Sequence, residues 1–182
     1  MDLINSYAIV AYVAGPVARF AERLRNELSP GCPHRAHITV LAPRPLNSPL
    51  SEAIEFARQR IAQFEPFDVR LNGIRNFSET QVIYLALAEG GSEFRAMHDV
   101  LNSGVLHQQD AYNYTPHITL GQQLPEGTFD YSMRLSSQRW RQFGPPPVLH
   151  IDTLTLVQQQ VDGSWKDLEE FALGHVAAVG KT

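Results

Sequence analysis

Two four-residue segments carry the side chains best suited to chemistry. Residues 37–40 read HITV and residues 117–120 read HITL, 80 positions apart. Successive side chains on a β-strand point to opposite faces. His37 and Thr39 therefore share one face, and Ile38 and Val40 share the other. The same alternation places His117 and Thr119 together, opposite Ile118 and Leu120. With average residue usage, Ile-Thr-aliphatic follows a given histidine about once in a thousand cases. The chain holds seven histidines, so two such segments form a pattern that ordinary polar strand faces do not explain.

Two histidines and two hydroxyls suit acid–base work on a phosphoester. Histidine titrates near neutrality, so one ring can accept a proton from the attacking water or hydroxyl while the other donates one to the leaving oxygen. Threonine hydroxyls can donate to the non-bridging oxygens and stabilise charge in the transition state. A metal site fits less well. A catalytic zinc typically takes three protein ligands, threonine is a poor one, and His34 could supply a third nitrogen only if its loop bent back. No metal and no cofactor is expected. Arg35 alternates onto the same face as His37 and is a candidate phosphate contact. Tyr7, Phe77, Tyr84 and Tyr114 are candidates for stacking on a base, though each also suits sheet packing. His34, His98, His107, His150 and His175 show no comparable pattern and read as surface or satisfied core groups.

The flanking sequence supplies elements to hold these segments. Residues 6–13 read as a buried strand. Pro16 opens a helix with Val17, Phe20, Leu24 and Leu28 at helical period, stopped by Pro30-Gly31. Residues 35–41 form the next strand. A helix over 49–64 follows, with Ser48 as cap and Pro49 as first helical residue. Strands at 66–76 and 81–88, a helix over 92–103, the second HIT strand and a helix over 129–143 come next. Two last strands, 148–160 and 165–173, flank an Asp-Gly hairpin turn. The order β-α-β-α-β-β-α-β-α-β-β predicts an α+β fold with a mixed or mainly antiparallel sheet. Each half has a HIT strand followed by a helix and then a strand pair. A single domain over 1–182 is expected, built of two intertwined lobes in a pseudo-two-fold arrangement, with outer helices and a central cleft.

Composition narrows the partners. At 43% hydrophobic and 19% charged residues the chain reads as an ordinary globular protein. No apolar run is long enough for a membrane span, and the N-terminal YAIVAYVAG lacks the basic flank of a signal peptide. A cytoplasmic monomer is the expectation. The lone Cys32 rules out an internal disulfide framework and a cysteine-based zinc site. A net charge of −4 with scattered arginines argues against a long nucleic-acid groove. Any nucleic-acid substrate is small or gripped at one end.

The paired HITV and HITL segments, in this element order, resemble the H-x-T/S-hydrophobic signature of the two-histidine (2H) phosphoesterase superfamily, in particular its bacterial 2′-5′ RNA ligase-like branch. The resemblance covers nearly the whole chain. It implies a bilobal fold with both motifs lining a cleft, and metal-independent cleavage of 2′,3′-cyclic phosphates on nucleotides or short RNA ends. It makes His37 and His117 the catalytic pair and Thr39 and Thr119 the phosphate-binding hydroxyls. By that analogy His117 activates water and His37 protonates the leaving oxygen, although the symmetric motif permits the reverse. Two other functions stay open: a nucleotide- or phosphate-binding module without turnover, and a reversible 2′-5′ RNA ligase.

Overall fold

The structure, a computed structural model, describes residues 2–174; His175 lies outside them. Eight strands form one sheet: β1 (Leu3–Tyr12), β2 (His37–Arg44), β3 (Phe67–Asn76), β4 (Ile83–Glu89), β5 (His117–Gly121), β6 (Leu149–Ile151), β7 (Thr153–Gln160) and β8 (Trp165–Ala172). Four helices accompany them: α1 (Gly15–Leu28), α2 (Leu50–Ile61), α3 (Gly91–Leu101) and α4 (Phe129–Phe143). The strand order is β6-β3-β4-β5-β2-β1-β7-β8, and every pairing is antiparallel. The two HIT strands thus lie side by side at the centre, flanked by β4 and β1.

One predicted strand is two. Asp152 divides the expected 148–160 segment into β6, which pairs with β3 at one edge of the sheet, and β7, which pairs with β1 toward the other end. A single intervening residue can link the two ends of an eight-stranded sheet only because the sheet curls into a half-barrel. The helix over 49–64 is also shorter than its periodicity predicts and ends at Ile61. Its N-cap position is taken by Pro49, and the Ser48 hydroxyl, expected to cap it, makes no hydrogen bond.

The apolar side of the HIT strands anchors the core. Ile38, Val40, Ile118 and Leu120 are fully buried, each worth roughly 1.5–3 kcal/mol relative to exposure. Helices α1 and α3 cover this side and cross between the halves. α1 packs on β5, and α3 packs on β2. The buried stripe of α1 is Val17, Ala18, Ala21, Leu24 and Leu28, with Arg25 inside it. The hairpin predicted at Asp162-Gly163 forms. Gly163 takes φ 82°, a left-handed value that glycine accepts without steric cost, and Asp162 Oδ1 accepts the Ser164 N–H at 2.9 Å.

Candidate active site

β2 and β5 share one registered pair among the described residues, Ile38 with Ile118. In an antiparallel ladder this sets His37 opposite Thr119 and Thr39 opposite His117. The two histidines then lie on a diagonal, which in a sheet separates residues by about 7–8 Å. That span leaves room for one phosphorus centre between the imidazoles. Both strands show the same alternation, with His and Thr half-buried and their neighbours sealed.

The two imidazoles are oriented in the same way. His37 Nδ1 lies 2.7 Å from the carbonyl of Arg35, and His117 Nδ1 lies 2.7 Å from the carbonyl of Thr115. A carbonyl can only accept, so in each ring Nδ1 carries the proton. The neutral ring therefore keeps its lone pair on Nε2. A cleft of about 570 Å³ is lined by His37, Thr39, His117 and Thr119 together. A groove of about 600 Å³ between α1 and α4 is as large, but its lining of arginines, Phe20 and Phe143 contains no histidine. Chemistry, not size, makes the first cleft the candidate site.

Electrostatics separates the two rings. Burial pushes His37 down to about 4, helped by the nearby charge of Arg25 and by His34 and His117, and opposed by the Arg35 carbonyl. Burial also lowers His117, against the pull of the Thr115 carbonyl, and among the described residues no cation contributes to that shift. His37 sits in a cluster with Trp165 (ring centroids 4.9 Å) and His34 (6.3 Å). Phe77 and Tyr84, stacked on one another at 4.3 Å, each press on His117 at 5.0 Å.

Arg35 departs from the expectation. It precedes β2 rather than lying on it, so strand alternation does not govern its side chain. Its guanidinium sits 3.5 Å over the Tyr12 ring and pairs with Asp167 at 2.7 Å, outside the cleft lining. Its backbone carbonyl, not its charge, serves His37. The aromatic candidates divide as well. Tyr7 accepts a hydrogen bond from Gln158 and packs on the core. Tyr114 donates to the Thr39 carbonyl at 2.8 Å and stacks on His98 at 4.0 Å, which makes it a strut between the halves.

Several cleft residues escaped the motif search: Arg25, Cys32, His34, Gln122, Gln123 and Trp165. Only Arg25 left a signal, a charge interrupting the apolar stripe of a helix. Among the described histidines, His34 stands apart because its Nδ1 is buried without a hydrogen-bond partner. His98 and His150 pair with Asp110 and Asp68. Among the described residues, no group of three or more His, Cys, Asp or Glu is placed to hold a metal ion.

A curled antiparallel sheet bearing two His-x-Thr strands side by side in one cleft defines a class of two-histidine phosphoesterase folds. The chain matches the 2′-5′ RNA ligase superfamily over residues 13–163 and belongs to it. A Bacillus licheniformis protein named "putative phosphoesterase" is 25% identical over 170 residues, covering 92% of this chain and 98% of its own. An Oceanobacillus iheyensis protein of the same designation is 28% identical over 127 residues, covering 69% of this chain and 71% of its own. Escherichia coli LigT complexed with phosphate superposes with a TM-score of 0.66 at 16% identity, covering 96% of this chain and all of that one. LigT complexed with 3′-AMP gives 0.63 at 15% identity over 94% and 99% of the two chains. These structural likenesses establish the shared fold. Among the described residues no helix is long and apolar enough to cross a membrane.

Proposed function

We propose that the protein hydrolyses the 2′,3′-cyclic phosphate of a nucleotide or short RNA end by two-histidine acid–base catalysis. The observation that carries this reading is the matched pair of imidazoles. They lie on adjacent strands in one cleft, and each presents Nε2 because a carbonyl two residues upstream holds its Nδ1–H. Water attacks phosphorus, and its proton passes to the neutral imidazole. The bond from phosphorus to one ribose oxygen breaks, and the protonated imidazole gives its proton to that oxygen. The product is a phosphomonoester beside a free hydroxyl, and solvent resets both rings. Thr39 and Thr119 donate to the non-bridging oxygens while charge builds on them. The nucleotide complexes of LigT, with 3′-AMP and with ATP, support a nucleotide-sized ligand.

The division of roles follows the charges. Arg25, His34 and His117 repel a proton from His37, and among the described residues no cation is seen to do so at His117. This favours His37 as the base and His117 as the acid, the reverse of the order that family analogy implies. An activated aryl phosphodiester, whose leaving group needs no proton, separates the two. His117→Ala should keep much of its activity on that substrate, and His37→Ala should not.

A panel of nucleoside 2′,3′-cyclic phosphates and oligonucleotides with cyclic ends, assayed with EDTA, tests the reading. Turnover that survives the chelator and disappears in both alanine variants is the expected result. Binding of these compounds without cleavage would instead identify a binding module. Joining of RNA ends through 2′-5′ linkages would indicate the ligase reaction, in which an RNA hydroxyl replaces water.

A further inference from the structure

We infer that Arg25, from the buried stripe of α1, supplies the positive charge that anchors the substrate's phosphate over the two His-x-Thr strands. This rests on the phosphoester reading of the cleft and names a residue that the paired motif does not contain.

Three observations converge on this residue. Arg25 is only 5% exposed, yet it lines the same cleft as His37, Thr39, His117 and Thr119. Its guanidinium bridges the two halves of the site. Nε and Nη2 donate to the Thr119 carbonyl at 3.2 and 2.6 Å. Nη1 donates to the carbonyls of His34 at 2.8 Å and Arg35 at 3.4 Å. The Arg35 carbonyl is also the one that holds His37 Nδ1, so one oxygen separates the guanidinium from that imidazole. These acceptors are three neutral carbonyls, and the Cys32 side chain is a further partner of the guanidinium. Among the described residues no carboxylate lies within ion-pair distance of it; Glu22 acts on it from further away, while its own Oε1 accepts the Ala36 N–H at 2.8 Å.

A buried charge without a counter-ion is costly to the fold. Within the cleft the Cys32 side chain acts on it at close range, and no carboxylate does so among the described residues. The histidines there favour their neutral forms, and the one acidic residue of the lining, Asp162, is fully exposed on the β7–β8 turn. An anionic phosphate seated between the motifs supplies the missing negative charge. The guanidinium, fixed by three carbonyls before the ligand arrives, has no reorganisation to undergo on binding. Its charge also helps keep His37 neutral, as a base must be.

The test is calorimetric titration of the intact protein with inorganic phosphate, comparing wild type, Arg25→Gln and Arg25→Lys. Both variants lose the guanidinium fork, but only Arg25→Gln loses the charge. Arg25→Gln should weaken phosphate binding by about tenfold or more, and Arg25→Lys should stay within about threefold of wild type. Equal weakening in both folded variants would overturn the anchor and leave only a packing role. A second measurement needs no variant. The Arg25 Nε–H resonance of the wild-type protein should shift along the phosphate titration, and an unmoved signal would refute the inference. Phosphate binding without turnover would sink the hydrolase reading alone. Turnover and phosphate binding unchanged in Arg25→Gln would sink this inference alone.

Discussion

The two His-x-Thr strands are near copies in local geometry and differ in what supports them. On β2 and β5 alike, the histidine bonds the carbonyl two residues upstream at 2.7 Å. The carbonyl behind His37 belongs to Arg35, whose side chain is tied down by an exposed ion pair to Asp167 and by the Tyr12 ring. The carbonyl behind His117 belongs to Thr115, next to a strut that is largely buried. There Tyr114 stacks on His98, His98 pairs with the Val40 carbonyl and Asp110, and the Tyr114 hydroxyl reaches the Thr39 carbonyl. The imidazole–carbonyl geometry is thus duplicated, while the electrostatics and the scaffolding are not. Identical motifs can be given different roles by their surroundings alone.

The largest effect should come from the histidines themselves. Each of His37→Ala and His117→Ala should lower turnover of a cyclic phosphate by about two to four decades, the usual worth of a general acid or base. Steady-state rates on folded variants check this, and a folded variant within a few fold of wild type would break the assignment.

The supports should come next, and unequally. His98→Leu removes a buried ring whose two nitrogens both meet acceptors, and should cost roughly 1–3 kcal/mol of stability. Arg35→Ala breaks an exposed pair and should cost about 0.2–1 kcal/mol. Denaturant titration ranks the two. A larger loss for Arg35→Ala would reverse the contrast between the halves.

The pH dependence sharpens the comparison further. Both rings of the proposed catalytic pair are lowered from their ordinary value near 6.5, His37 to about 4. The singly protonated, working form of the pair is therefore most abundant on the acidic side of neutrality, and kcat/KM should decline as pH rises above about 6.5. Stability follows the same shifts. A group whose folded pKa is depressed contributes stability that is present above its unfolded pKa and lost as pH falls toward the folded value. Melting temperature should therefore drop between about pH 6.5 and pH 4, and less steeply in His37→Gln. An unchanged slope in that variant would contradict the depressed value.

Much of this molecule could be read from its residues. The period-2 and period-3.6 patterns located all four helices and seven of the eight strands. Alternation correctly put Ile38 and Ile118 in the core and the His-Thr pairs on the other face. The break at Asp152 was invisible because nothing local distinguishes one strand from two that pair at distant places in a curled sheet. Arg35 was misplaced because alternation was carried two residues beyond the true start of β2. His34 and Trp165 reach the cleft from a loop and from the start of β8, positions that only tertiary packing defines. The support given by Tyr114 and His98 is likewise a long-range contact, joining residues that no spacing relates.

The central claim is that both imidazoles face one phosphate. Side-chain NMR of His37 and His117 during titration with inorganic phosphate tests it most directly. The two rings should titrate below 6.5 in the free protein, and both should move upward along a single binding curve as the anion arrives. A curve followed by one ring while the other stays still would contradict the shared site.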